Sequence, residues 1–176
     1  MRILKVVLIS LLVFCLVSLT SGCGKNENEL VLVTEAGFAP YEYYEDGEIV
    51  GVDIDISKEI AKELGKELVI NDVSFDFVIN EVKSGKADFA AAGISITPER
   101  AEEVDFTIEY TTSNQVVVVK KDSSIKNFND IKNKKIAVQL GTVADLYVEE
   151  NYKDATIVSH KKYLSAVEDV KTGKAD

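Results

Sequence analysis

The segment Gly93-Ile-Ser95-Ile-Thr97-Pro-Glu-Arg100 carries the side chains best suited to bind a small molecule. Ser95 offers a hydroxyl, and the guanidinium of Arg100 can donate two parallel hydrogen bonds to one carboxylate. An Arg at the start of a helix opposes the helix dipole by about 0.3–1 kcal/mol, so a nearby anion would help to explain it. We therefore expect Arg100 to bind a carboxylate. The alternative is a surface ion pair with a neighbouring glutamate, for which the candidates are Glu99, Glu102 and Glu103.

Composition narrows the chemistry of the 176-residue chain. It is 46% hydrophobic, which argues against disorder. After residue 22 it holds 18 basic and 30 acidic side chains, a net charge of −12, and Arg100 is the only arginine beside 17 lysines. Nucleic-acid binding is not expected of such a chain. One histidine, His160, and the two cysteines Cys15 and Cys23 provide no zinc site and no His-based catalyst, so we expect no catalytic residue, metal or cofactor.

The first residues have the pattern of a secretory signal. Arg2 and Lys5 precede an apolar run over 6–19, which is shorter than the ~20 residues that span a bilayer as a helix. The small residues that follow end in Cys23 and resemble a bacterial lipobox, in which the cysteine is diacylated and anchors the protein in the membrane. Thr20 departs from the usual leucine of that motif. A retained transmembrane anchor, or cleavage without lipid, is the alternative.

Alternating strands and helices must position the Arg100 segment. Apolar runs and one-sided apolar spacing predict strands over 30–34, 68–70 and 87–94 and helices over 53–64 and 75–83. Thr97 and Pro98 then predict the start of a short helix, as its N-cap and first residue. In a parallel sheet of this kind ligands bind beyond the carboxyl ends of the strands, where the segment lies.

The second half of the chain repeats the alternation. Residues 106–110 and 115–120 are expected to be extended, and 120–135 to be a connector with one helical turn near 128–131. We then expect a strand over 136–140, a helix starting at 142–145, a strand over 155–158 and a helix over 164–171. His160, beside two lysines, is expected at the surface.

An internal repeat supports two similar lobes. Residues 81–88 match residues 169–176 at six of eight positions, and each copy contains a helix end followed by Gly-Lys-Ala-Asp. The alternative is that such helix-to-strand joints recur by chance. After the first copy a buried strand follows, but the second copy ends at Asp176. We therefore expect the chain to be truncated at its C-terminus, a short natural variant being the alternative.

Five segments resemble the extracellular solute-binding proteins of polar amino-acid ABC transporters, family 3. They occur in the order and spacing of that family and are Thr34-Glu-Ala-Gly-Phe38-Ala-Pro40-Tyr-Glu, Gly51-Val-Asp53-Ile-Asp55, Ser84-Gly-Lys-Ala-Asp88, Ile96-Thr-Pro-Glu-Arg100 and Gln139-Leu-Gly141-Thr142. The resemblance implies an α/β fold of the two-lobe periplasmic-binding-protein type II, with the second lobe incomplete. It also implies a monomer that traps a free amino acid between its lobes and delivers it to a permease.

The resemblance assigns roles to individual residues. Arg100 matches the residue that grips the ligand α-carboxylate, and Gly93 and Ser95 match contacts to the ammonium and carboxylate. Phe38 and Phe75 match aromatic residues that sandwich the ligand side chain. Glu35 and Gln139 match residues that contact that side chain and set its preference. The loop Gly141-Thr142-Val143 matches one that presents N–H groups to the carboxylate. Phe38 and Phe75 could instead be ordinary core residues.

Two departures from the family pattern concern the ligand. Many relatives have Asp at the position of Glu35, and the longer Glu should shrink the pocket. Val143 lacks a hydroxyl that some relatives have, so only its N–H can serve. The family's second-lobe Asp that holds the ammonium would fall just past residue 176. The acidic Glu35 favours Arg, Lys or Gln as ligand.

These inferences give a complete hypothesis. Residues 1–22 are the lipoprotein signal peptide, 23–29 a tether, 30–118 the first α/β lobe and 119–176 a partial second lobe. The protein is expected to be a lipid-anchored, extracytoplasmic binding subunit. The alternatives are a periplasmic dehydratase of the same fold, or the ligand-sensing part of a receptor.

Overall fold

The computed structural model describes residues 26–176. The predicted signal peptide, Cys23 and the start of the tether lie outside the described residues. No helix in the described range is long and apolar enough to cross a membrane.

The first lobe is built on a parallel three-stranded sheet. Its strands are β1 (Glu29–Thr34), β4 (Glu67–Asp72) and β5 (Phe89–Ala90), which lie in the order β4-β1-β5. Helices α1 (Val52–Glu63) and α2 (Phe75–Lys83) connect them, as the apolar pattern predicted. Strand β1 is buried along nearly its whole length because it is the central strand, and Val31 and Val33 pack with Val78 of α2 in the lobe's core.

Two local features of the first lobe differ from the prediction. A hairpin of β2 (Tyr43–Glu45) and β3 (Glu48–Val50) surrounds the predicted Asp46-Gly47 turn, but its three-residue strands are too short and polar to predict. The predicted strand 87–94 is shortened to β5: after Ala90 the carbonyl of Ala91 accepts a hydrogen bond from the Thr34 hydroxyl at 2.6 Å, and the chain turns at Gly93, where φ is 54°. Helix α3 (Pro98–Ala101) follows, and Thr97 caps it through a hydrogen bond from the N–H of Arg100, as predicted.

The described part of the second lobe contains two parallel strands and two helices. Strands β6 (Lys135–Gln139) and β7 (Thr156–His160) pair along their length, and α4 (Val143–Asn151) and α5 (Tyr163–Thr172) follow them. The predicted helical turn is a 3-10 helix, Phe128–Ile131. Residues 106–110 and 115–120 form no strand in the described part, since neither pairs with another strand, and Ile108 is 89% exposed.

The sequence repeat has the same structure in both lobes. Gly85 and Gly173 follow α2 and α5 with φ of 74° and 80°. The carboxylate of Asp88 accepts a hydrogen bond from the N–H of Val31 in β1, at 2.7 Å. The carboxylate of Asp176 accepts one from the N–H of Lys135 in β6, at 2.9 Å. The repeat therefore joins each lobe's helix to its first strand.

The surface location expected for His160 is wrong. Its Nε2 atom lies 2.7 Å from Oδ2 of Asp169 on α5, and only 26% of its side chain is exposed. Strand β7 ends at His160, so the side chain faces the helix that packs on the strand.

Candidate functional site

A cavity of about 350 Å³ extends between the two lobes. Nine of the predicted ligand contacts line it, and they are Glu35, Phe38, Phe75, Gly93, Ser95, Arg100, Gln139, Thr142 and Val143. The cavity is also lined by apolar side chains such as Val117 and, in the second lobe, Ile136. The fold thus brings the predicted residues together, while their contact with a ligand stays a prediction.

Arg100 lies at the boundary of the lobes. Its Nη1 atom donates to the carbonyl of Ser95 at 2.7 Å, and Nη2 donates to the carbonyl of Gly141 in the second lobe at 3.1 Å. The guanidinium carbon is 5.5 Å from the centre of the Phe75 ring, within cation–π range. Burial lowers the pKa of Arg100, opposed by the charge of Glu99.

The alternative role of Arg100, a surface ion pair, is not found in residues 26–176. Glu103 pairs with Lys83 instead, and neither Glu99 nor Glu102 forms an ion pair with the guanidinium. The partners of Arg100 are neutral carbonyl oxygens. A half-buried guanidinium with neutral partners favours an anion in the cavity.

Two aromatic rings, those of Phe38 and Phe75, line the cavity. Phe38 stacks on Tyr41 at 5.5 Å between centroids and meets the edge of Tyr163, from the second lobe, at 6.1 Å. Its exposed fraction of 38% contradicts its interpretation as a core residue. Phe75 is partly buried against the core of the first lobe, so its interpretation as a core residue is correct in part. Its ring also lies next to the guanidinium of Arg100.

Glu35 is 1% exposed, and both of its carboxylate oxygens are engaged by the second lobe. Oε2 accepts a hydrogen bond from Nε2 of Gln139 at 2.9 Å, and Oε1 lies 2.6 Å from Nζ of Lys162. Lys162 also contacts Asp72, at 3.3 Å. Lys162 was not predicted from the sequence. The available signal was a cation two residues before the helix predicted over 164–171, where the helix dipole disfavours a positive charge.

The loop at the start of α4 differs from the expected anion site. The N–H of Gly141 donates to Oδ2 of Asp145 at 2.9 Å, and the N–H of Thr142 donates to the carbonyl of Gln139 at 3.3 Å. Thr142 also uses its hydroxyl as the helix N-cap. These groups satisfy one another, which corrects the expectation that the whole loop faces the carboxylate. In the described part, the N–H of Val143 at the helix start is left without a partner.

Two buried acids, Asp53 and the cavity-lining Glu42, were also missed as site residues. Asp53, 0% exposed, accepts hydrogen bonds from the N–H of Gly93 at 2.9 Å and the hydroxyl of Tyr110 at 3.0 Å. Burial, and then the charge of Asp53 and a hydrogen bond to it, raise the pKa of Glu42 to about 10. Glu42 is therefore neutral at pH 7. Asp53, through its hydrogen bond from the N–H of Gly93, holds that residue in place. An acidic residue in the buried face of α1 was the available signal.

The arrangement offers opposite ends for a zwitterion. Arg100 and the Val143 N–H provide donors for a carboxylate. The N–H of Gly93 is used by Asp53, so its carbonyl is what remains to accept a hydrogen bond from an ammonium. Ser95 is exposed, and its hydroxyl has no hydrogen bond in the described part of the chain.

Comparison with protein families gives one match over nearly the whole described chain. Residues 30–175 match the bacterial extracellular solute-binding proteins, family 3. The arginine-binding extracellular protein ArtP of Bacillus subtilis is 36% identical over 73% of this chain and 50% of its own length. The ABC transporter arginine-binding protein 1 of Escherichia coli is 35% identical over 92% of this chain and 66% of its own. The chain thus spans half to about two thirds of these relatives.

Solved structures of amino-acid-binding proteins have the same fold. The holo arginine-binding protein of T. maritima has a TM-score of 0.81 and 39% identity, over 85% of this chain and 67% of its own. An ancestral arginine-binding protein bound to glutamine gives 0.81 and 36%, over 86% and 68%. An ancestral amino acid-binding protein described as a precursor of cyclohexadienyl dehydratase gives 0.80 and 37%, over 85% and 68%.

Proposed function

Because the chain belongs to family 3 of the bacterial extracellular solute-binding proteins, we propose that it is the substrate-binding subunit of an ABC importer. In this role it captures a polar amino acid between its lobes and delivers it to a membrane permease. It performs no chemistry on the ligand. The family assignment and the relatives named for arginine binding support the proposal.

One observation carries the amino-acid site: the guanidinium of Arg100 lines the interlobe cavity, and within residues 26–176 its hydrogen bonds go only to carbonyl oxygens. A ligand carboxylate supplies the missing negative charge, and the bidentate geometry of arginine suits it. The aromatic rings of Phe38 and Phe75 would contact the ligand side chain. Glu35 and Gln139 would then lie at its far end, which favours Arg, Lys or Gln.

Calorimetric titration of the chain with single amino acids tests the proposal. Arg100→Ala is expected to weaken binding of the best ligand by at least about a hundred-fold, because it leaves the ligand carboxylate unpaired. Lys83→Ala is the matched control, since it removes a surface cation outside the cavity. Undiminished binding by Arg100→Ala would show that the site is elsewhere.

We further propose that Cys23 carries a diacylglyceryl anchor and that the residues between Cys23 and β1, which begins at Glu29, tether the lobes at the outer face of the membrane. Two acyl chains suffice for stable attachment. Cys23→Ala should move the protein from the membrane fraction to the soluble extracytoplasmic fraction. Unchanged membrane association of Cys23→Ala would contradict the anchor.

A dehydratase is the second candidate function. One solved neighbour is described as a dehydratase precursor, and the neutral carboxyl of Glu42 lines the cavity here. The proton of Glu42 faces Asp53, which favours a structural role. Incubation with cyclic acids separates the two functions, since turnover that is lost in Glu42→Gln would establish the enzyme.

A further inference from the structure

Glu35 is the acidic group that would read the ligand side chain, yet its charge is already compensated. Lys162 contacts Oε1 at 2.6 Å and Gln139 donates to Oε2 at 2.9 Å. Glu35 and Gln139 line the cavity, whereas Lys162 is not among the described residues that do so. Lys162 therefore neutralises Glu35 without itself lining the cavity.

The position of Lys162 is stabilised by two carboxylates, those of Glu35 and Asp72. It is the N-cap residue of α5, where the helix dipole disfavours a positive charge. The carboxylates of Glu35 and Asp72 offset that cost, and Tyr44 and the N–H of Ala36 hold Asp72 in place by hydrogen bonds. Partial burial acts to lower the pKa of Lys162, but the hydrogen bond and charge of Glu35, followed by Asp72, raise it overall.

A basic ligand side chain would have to share Glu35 with this ammonium. Two cations on one buried carboxylate repel each other in a region of low dielectric constant. A neutral amide has no such conflict. Gln139 uses its Nε2 atom on Glu35 and on the carbonyl of Lys161, but its Oε1 atom has no partner in the described range and can accept an amide N–H.

We propose that Lys162 determines ligand specificity: by neutralising Glu35 it selects an amino acid with a neutral hydrogen-bonding side chain, such as glutamine, over arginine or lysine. This inference rests on the proposed function and narrows its ligand class. It reverses the preference that an unpaired Glu35 would give.

Titration of the full chain with glutamine and with arginine tests the inference. The wild type is expected to bind glutamine at least about ten-fold more tightly than arginine. Lys162→Met keeps the length of the side chain but removes its charge, and should shift the preference toward arginine by about ten-fold or more. Lys162→Gln is the second variant if Lys162→Met does not fold.

The controls separate this effect from general electrostatics. Lys161→Met removes the same charge one residue away, and the Lys161 side chain has no ion pair in the described part of the chain, so the preference should stay. Lys162→Arg retains the cation and should retain the preference for glutamine.

The outcomes also distinguish the two proposals. A wild type that prefers arginine, or a preference unchanged in Lys162→Met, overturns the inference but leaves the proposed function intact. A wild type that binds no amino acid contradicts the proposed function, and the inference that depends on it.

Discussion

The Nη2 atom of Arg100 in the first lobe lies 3.1 Å from the carbonyl oxygen of Gly141 in the second. The same guanidinium donates to Ser95 in its own lobe. Of its five N–H groups, three remain for other partners. Arg100 thus connects the lobes at the place where a ligand carboxylate would bind.

Arg100→Lys separates charge from geometry. The lysine ammonium retains the positive charge but cannot donate to Ser95, Gly141 and a ligand carboxylate in one plane. We expect amino-acid affinity to fall by about ten-fold or more, and by less than in Arg100→Ala. Calorimetry of the two variants measures this difference. Equal losses of affinity in Arg100→Lys and Arg100→Ala would mean that the positive charge alone contributes nothing to binding without the planar guanidinium.

Gly93→Ala should disturb the first-lobe side of the site. Its φ is 54°, and a Cβ there would lie 3.0 Å from Cε1 of Phe38. The variant must adopt a left-handed conformation at a cost of about 1–2 kcal/mol and also push Phe38 aside. Urea unfolding should show the loss of stability, and ligand titration a weakened affinity.

Gly65→Ala is the control for Gly93→Ala. Gly65 has a similar φ of 64°, but no atom lies within 4 Å of the place that an alanine methyl would take. Its substitution should lower stability through the backbone alone and leave affinity unchanged. Equal affinities in the two variants would argue against a role of the Gly93–Phe38 contact in binding.

Glu42 should make stability depend on pH. Burial and Asp53 raise its pKa from 4.5 to about 10, so between these values the folded chain holds a proton that the unfolded chain has released. The stability that this bound proton contributes to the folded chain is fully present below pH 4.5. It is lost as pH rises toward 10, by about 1.4 kcal/mol per pH unit. Urea unfolding at pH 5, 7 and 9 measures the slope.

Glu42→Gln removes this titration, because an amide stays neutral and can still donate to Asp53. Its stability should exceed that of the wild type increasingly with pH across the same window. Glu45→Gln, an exposed change in the adjacent hairpin, should keep the wild-type slope. Parallel slopes for the wild type and Glu42→Gln would show that Glu42 ionises normally.

The repeated aspartates should each stabilise the start of their lobe. Asp88→Ala removes the acceptor of the Val31 N–H, which lies in a strand that is otherwise buried. The free energy of unfolding should fall by about 1–3 kcal/mol. Asp154→Ala, on the exposed chain before β7, should change it little. Equal stability of both variants would contradict a structural role of the repeat.

Local patterns were sufficient for much of this protein. The apolar period of α2, the Thr97-Pro98 helix start and the glycine after each repeated helix depend on neighbouring residues, and the structure has each where the sequence predicted it. The motifs around Arg100 and Gln139 also identified a set of residues that line one cavity. The helix period, the helix start and the glycine positions follow from short-range geometry, whereas most of the cavity residues were identified through the resemblance to a family.

Tertiary structure decided which charges meet. Gln139 and Glu35 are 104 residues apart, and no local period relates either of them to Lys162. No local period relates Asp53 to Gly93 either, although the two form a hydrogen bond. His160 is partly buried, contrary to the prediction, because α5 places Asp169 next to it. Ion pairs and buried hydrogen bonds depend on distances of about 3 Å between elements, which are set when lobes and helices pack. The sequence determined which residues are candidates for the binding site, and packing determined that Glu35 is already paired with Lys162 and Gln139.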